Sequence, residues 1–199
     1  ANISHELKTP ITAIQGFAET LLEGALDDRE HALKFLETIR ANSERINTLV
    51  DDLMTISKIE MGVFTITKEP VAVNEVVNSV MAVLEEQAKE KNLSITVSIP
   101  PALQTINADK DRLVQIMTNL VVNAIKFTEK GGVTIGMNEA GERKELFVED
   151  TGIGVQEKQL SRLGERFYRV DPARSRKMGG TGLGLAIVKH LGRAHGWEM

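Results

Sequence analysis

The sequence predicts an α+β chain in two parts: a two-helix hairpin that pairs with a second copy into a four-helix bundle, then an α/β sandwich. Three observations predict it. Apolar residues recur every three or four positions from Leu7 to Ile56. The texture changes after Gly62 to short segments broken by Pro and Gly. From there, helical and alternating patterns interleave to the C-terminus, as in a sheet covered by helices.

The first helix carries Leu7, Ile11, Ile14, Ala18, Leu21 and Ala25, in alternating steps of four and three, a coiled-coil-like stripe. "EGALDDRE" breaks it with Gly24 and an Asp pair able to cap the next helix. That second helix is predicted over Arg29–Glu60. Its stripe holds Leu36, Ile39, Ile46, Val50 and Leu53, widened by Leu33, Leu49 and Ile56. Two helices alone enclose no core, so a partner copy is the simplest completion. The first domain is set at residues 1–61 and the second at 62–199.

In the second domain "VFTITKEP" reads as a strand stopped by Pro70, and Val73 to Lys91 as a helix. "LSITVSIP" is a strand closed by Pro100 and Pro101. Asp109 to Phe127 is a strongly apolar helix. "GGVTIGMNEAG" and "ERKELFVED" are strands around a turn at Ala140–Gly141. A short helix near Gln156–Leu163, an irregular basic stretch from Val170 to Gly180 and a helix from Gly182 to Ala194 complete the chain. The expected sheet is mainly antiparallel.

Composition narrows the function classes. Hydrophobic residues make up 42% of the 199, enough for a core, and aromatics only 4%, so that core is aliphatic. A net charge of −4 gives no global pull toward nucleic acid. The absence of cysteine removes disulfides and thiol chemistry. No apolar run is long enough to span a bilayer. The chain opens at Ala1 with periodicity already running, which reads as a piece of a longer protein. The fragment is expected in the cytoplasm, with any membrane contact made by other parts of the parent.

Three stretches of the second domain carry chemistry. In "NLVVNAIKFT", Asn119, Asn123 and Lys126 share one helical face at i, i+4 and i+7. Two carboxamides and a lysine suit a hard cation and phosphate oxygens, though a solvated face fits the same spacing. In "EDTGIGV", Asp150 closes a strand, and Gly152 and Gly154 let backbone approach a flat ligand. A tight turn fits this stretch equally well. In "GGTGLGLAIVK", Gly180, Gly182 and Gly184 precede and open a helix, whose freed N–H groups make an anion site. It is neither a Walker A loop nor a dinucleotide fingerprint.

"SHELKTPI" places His5 in the first helix. At 100° per residue His5 points away from the apolar stripe, toward solvent, with Glu6 beside it and Thr9 one turn on. Pro10 removes one helical hydrogen bond next to it, and a bend there is expected. An exposed imidazole with an adjacent acid can act as a nucleophile, the acid taking the proton on the far ring nitrogen. His31, His190 and His195 receive no such role.

"SHELKTPI", "NLVVNAIKFT", "EDTGIGV", "ERFYRVD" and "GGTGLGLAIVK" occur in that order. They resemble the H, N, G1, F and G2 boxes of the sensor histidine kinases of two-component systems, and the resemblance covers nearly the whole chain. It implies that the second domain has the ATP-binding fold shared with gyrase, Hsp90 and MutL proteins. It implies ATP and Mg²⁺ as cofactors and Asn123 as the metal ligand. Asn119 then stands where ATP-hydrolysing relatives carry a water-activating glutamate. Lys126 meets phosphate or ribose, Phe127 lines the base, and Asp150 binds the adenine amine. Gly152 and Gly154 shape the base pocket. Arg169 reaches toward the γ-phosphate, and Gly180, Gly182 and Gly184 serve the phosphates. Residues 170–179 form the lid, made basic by Arg174, Arg176 and Lys177.

The resemblance further implies that the chain phosphorylates itself on His5 and passes the group to an aspartate of a response-regulator receiver domain. Thr9 fits the family's E-x-x-T pattern, in which it places the water that dephosphorylates the regulator. One departure stands out: family members continue past the last helix into two more strands, and this chain stops at "HGWEM". Lowered ATP affinity is the expected consequence. A docking scaffold without catalysis and a hydrolysing ATPase are the competing readings.

Overall fold

The structure is a computed structural model that describes residues 3–62, 65–141, 143–171 and 180–199. Helix α1 (Ile3–Leu22) runs unbroken through Pro10, whose ring is buried. Pro10 has no N–H, so the Glu6 carbonyl lacks its usual intrahelical donor. Gly24, at φ 124°, turns the chain in a conformation that only glycine adopts readily. A single 3-10 turn (Ala25–Asp27) leads into α2 (Arg29–Glu60). The Asp28 side chain caps α2, accepting from the Glu30 and His31 amides. His31 Nδ1 lies 2.7 Å from the same carboxylate, and this hydrogen bond holds Asp28 below the ordinary Asp pKa. The two helices pack on each other, with Phe17 and Phe35 in ring contact at 5.3 Å.

The α/β unit begins differently from the sequence reading. Val63 and Phe64 lie outside the described residues. Thr65–Lys68 forms no strand, and β1 is Glu69–Ala72 with Pro70 inside it. Proline is tolerated because, among the described residues, β1 pairs with one neighbour, β3 (Thr105–Ala108), in a two-stranded antiparallel ribbon that sets Pro70 opposite Asn107. Helix α3 (Val73–Glu90) follows directly, its valines at 73, 76, 77 and 80 buried at helical spacing.

The main sheet has the order β2–β4–β5: Ser94–Ser98, Gly132–Ala140 and Arg143–Asp150. β4 and β5 form the expected antiparallel hairpin, from Val133 opposite Asp150 to Ala140 opposite Arg143. β2 and β4, however, are parallel, so the sheet is mixed. The crossover between them is α4 (Lys110–Phe127), long enough to reverse the chain and lie back on the sheet. One core joins α3, α4 and the sheet through Val80, Leu84, Leu113, Met117, Val121, Ile135 and their neighbours.

After β5 come a one-turn helix α5 (Glu157–Leu160) and, past the lid stretch, α6 (Gly184–Ala194). Residues 172–179 of the expected lid, with Arg174, Arg176 and Lys177, lie outside the described residues. His195 is buried behind α6. Its Nδ1 donates to the Leu191 carbonyl at 2.8 Å and its Nε2 accepts the Asp109 N–H at 3.1 Å. Both bonds need a neutral ring with its proton on Nδ1. Trp197 stacks on it at 4.2 Å, so the end of the chain clamps the start of α4.

A second apolar cluster joins the two parts. Leu49 and Ile56 of α2 pack with Ile116 of α4 and with Leu183, Ile187, Val188 and Leu191 at α6. The α/β unit is thereby docked along α2.

Candidate active site

The polar face of α4 emerges as the spacing predicts. Asn119, Asn123 and Lys126 are half-buried, while Leu113, Met117, Val121 and Ala124 on the opposite side fill the core. Asn119 meets the start of α6. A Cβ at Gly184 would come within 3.0 Å of Asn119 Oδ1, so glycine permits this approach. Lys126 is pushed down to about 8, by burial first and then by Arg169, Arg45 and Lys91. Three cations thus surround it. Lys91 is otherwise occupied, donating to the carbonyls of Ile125 and Lys126 at the C-terminus of α4.

Asp150 ends β5 beside the C-terminus of α4. Its Oδ1 accepts the Gly152 amide at 2.9 Å, which orients the exposed carboxylate. Gly152 has no room for a side chain: a Cβ there would lie 2.6 Å from the carbonyl oxygen of Phe127. That contact brings Phe127 against the glycine turn. Gly154 adopts φ 64°. Next to it a cavity of about 460 Å³ opens between Ile153–Gln156, Gln159 and Val170. Ile153, Val155 and Val170 expose apolar surface there.

The third glycine stretch reaches the α4 face from the other side. Gly182, at φ 76°, would bring a Cβ to 3.0 Å from Phe167 Cα and 3.2 Å from Arg169 Nε. The Phe167 amide donates to the Gly182 carbonyl at 2.9 Å. Gly180, at the edge of the described residues, is half-buried. The structure therefore gathers Asn119, Arg169, Gly182 and Gly184 at the start of α6, and Asn123 and Lys126 follow along α4.

On the hairpin His5 is exposed, as its helical phase predicts, and Thr9 Oγ1 donates to the His5 carbonyl at 3.1 Å. Glu6 behaves differently. Its Oε2 accepts from Arg169 Nη2 at 2.7 Å and from Arg45 Nη2 at 3.4 Å. The Glu6 and Arg169 side chains are only 13% and 6% exposed. A buried pair of this kind is held together because either charge alone would be costly to bury. Arg169, expected at a γ-phosphate, is here bonded to the acid beside His5 and to the Thr181 carbonyl at 3.0 Å.

Sequence reasoning missed several residues of this seam. Thr181 Oγ1 donates to Asp52 Oδ2 at 3.0 Å and accepts the Leu183 amide at 3.2 Å. Burial pushes Asp52 up to about 6, against the hydrogen bond from Thr181. Glu60 pairs with Arg166. A signal for them was present: Arg45, Leu49, Asp52 and Ile56 follow at steps of four, three and four, one face of α2 on which charges interrupt buried apolar positions.

Among the described residues no cluster of His, Cys, Asp or Glu could hold a metal by itself. The donor set still suits Mg²⁺ brought in by a nucleotide. One carboxamide oxygen beside cationic groups fits an ion that takes few protein ligands and keeps phosphate oxygens and water.

Comparison with known proteins agrees with this geometry. Residues 1–62 match the His Kinase A (phospho-acceptor) domain, and residues 108–199 match the histidine kinase-, DNA gyrase B- and HSP90-like ATPase family. The chain is 36% identical over its full length to sensor histidine kinase WalK of Bacillus subtilis, covering 33% of that protein. It is 40% identical over 96% of its length to the phosphate regulon sensor protein PhoR of Pseudomonas aeruginosa, covering 43% of it. The chain thus spans less than half the length of these relatives. Among solved structures, the Acinetobacter baumannii histidine kinase AdeS superposes with a TM-score of 0.77 at 25% identity, over 96% of this chain and 86% of that one. Full-length ShkA in complex with AMPPNP gives a TM-score of 0.71 at 31% identity, over 97% of this chain and 40% of that one.

Proposed function

We infer, from a chain that belongs to the sensor histidine kinases of two-component systems, that this segment phosphorylates its own His5 with ATP and hands the phosphoryl group to a response regulator. The observation that carries this reading is the Glu6–Arg169 pair. It joins the acid next to an exposed histidine to the phosphate end of the nucleotide site.

In the reaction a His5 ring nitrogen attacks the γ-phosphorus, the bond to the β–γ bridging oxygen breaks, and ADP leaves. Glu6 takes the proton from the other ring nitrogen. Arg169 turns from Glu6 to the transferring phosphoryl group, where Lys126 adds a second positive charge. Asn123 is the residue that would hold a Mg²⁺ ion there, and the ion would supply further charge neutralisation. Asp150 Oδ2 accepts from the adenine amine, Phe127, Gly152 and Gly154 frame the base, and Gly180, Gly182 and Gly184 present amides to the phosphates. Asn119, an amide, cannot activate water as a general base, which spares ATP for the protein acceptor.

The phosphohistidine then loses its P–N bond to a regulator aspartate, which gains a P–O bond. Thr9 orients water for the reverse signal, dephosphorylation of the regulator. Its hydroxyl proton is committed to the His5 carbonyl, which leaves the oxygen to accept from water. The division at residues 61/62 separates the phosphoacceptor hairpin from the ATP-binding part. A second copy covers the exposed stripe of Ile11, Leu33, Leu36, Val50 and Met54.

Incubation with γ-labelled ATP tests the reading. Acid-labile, base-stable label on the protein is the expected result. Release of free phosphate alone means an ATPase, and neither product means a docking scaffold.

A further inference from the structure

We propose that Arg45 of α2 is a positioning residue for the general base: it holds the Glu6 carboxylate beside His5 while Arg169 serves the nucleotide. The proposal rests on the reading of His5 and Glu6 given above.

Arg45 and Arg169 converge on one oxygen, Glu6 Oε2, from opposite sides of the seam. Arg45 comes from the same hairpin as Glu6, and Arg169 from the ATP-binding part. Their distances differ: 2.7 Å for Arg169 is a full charge-assisted hydrogen bond, and 3.4 Å for Arg45 is a long one. Arg169 therefore dominates in this arrangement. Transfer draws it away toward phosphate charge. Glu6 is 13% exposed, and a carboxylate that buried is costly to leave without a cation.

Arg45 is built to remain. It stands on α2 one turn before Leu49, which is fully buried, and its own side chain is 13% exposed. Glu6 and Arg45 stand on two packed helices of one hairpin, so the guanidinium stays within reach of Glu6 when the ATP-binding part shifts. It also lies close enough to Lys126 to help hold that ammonium below its ordinary pKa. Arg45 thus sits where the base, the departing Arg169 and the phosphate-facing lysine meet. Its effect on His5 passes through Glu6.

A double-mutant cycle of autophosphorylation rates tests this. Arg45→Gln is expected to lower kcat by about tenfold or more with the KM for ATP changed less than about twofold, because the base and not the nucleotide is affected. In a Glu6→Gln background the same substitution should cost nothing further, since its target is gone. Arg45→Lys keeps the charge and should retain labelling within about threefold of wild type, which excludes simple loss of fold. A full additional loss in the Glu6→Gln background, a parallel rise in KM, or wild-type kcat in Arg45→Gln would each overturn the assignment. Label that persists in His5→Gln sinks the underlying reading instead, so the two failures are distinguishable.

Discussion

The helical hairpin and the α/β unit are both rich in apolar residues, yet they bury them differently. Each of α3 and α4 buries six residues within eighteen. Across α1 and α2 only Pro10, Leu21, Ala32, Leu49 and Ile56 are buried, and Leu49 and Ile56 are covered by the ATP-binding part. Leu33, Leu36, Val50 and Met54 remain 45–54% exposed. The α/β unit closes its own core. The hairpin has two apolar faces, one taken by the docked unit and one left exposed.

The largest effect should come from the closed core. Ile135 is fully buried in the central strand. Ile135→Ala should lower the unfolding free energy by about 2–5 kcal/mol, read from the denaturant midpoint. A loss below about 1 kcal/mol would mean that this core tolerates a hole and that the contrast with the hairpin is overstated.

The hairpin should respond through association. The wild-type thermal midpoint is expected to rise with protein concentration. Leu33→Ser with Leu36→Ser should remove most of that dependence while costing the isolated chain about 1 kcal/mol per site or less, because both are half-exposed already. Unchanged concentration dependence would place the dimer interface elsewhere.

The smallest effect concerns the seam. Asp52 titrates at about 6 when docked, raised by burial above the ordinary 3.8. A carboxyl with a raised pKa binds its proton more tightly in the docked state. Docking is therefore most favourable below about pH 4 and weakens as pH rises to about 6, beyond which this contribution is constant. Trp197, the single tryptophan, touches both apolar clusters and reports the seam by its emission. Asp52→Asn should abolish the emission change between pH 4 and 6 and leave a more firmly docked unit at pH 7. The same pH slope in the mutant would assign the change to another group.

These residues also show what was legible in the sequence. The bounds of α2 agree because Gly24 and Asp28 punctuate a long helical period, and the N box lies on one face because i, i+4 and i+7 is a local geometric fact. β1 was misplaced because a proline that would break a central strand is harmless in a two-stranded ribbon. The four-residue β3 is too short to show periodicity. The parallel pairing of β2 with β4 depends on how α4 crosses over, which no local pattern encodes. Within the candidate site, the exposure of His5 and the positive φ of Gly154 and Gly182 follow from helical phase and from the glycine stretches. Arg45, Asp52 and Thr181 take their meaning from docking, and only their phase along α2, or their place in the glycine stretch, hinted at it.

In the proposed reaction the exposed imidazole of α1 receives the γ-phosphoryl group from the nucleotide site of the ATP-binding part. The most direct test of this step maps the label after reaction with γ-labelled ATP in the wild type and in His5→Gln. The account predicts acid-labile label on the peptide that contains His5, no label in the mutant, and nucleotide affinity within about twofold of wild type, since His5 lies outside the nucleotide contacts. Equal labelling of His5→Gln, or label on another residue of the wild type, would contradict it.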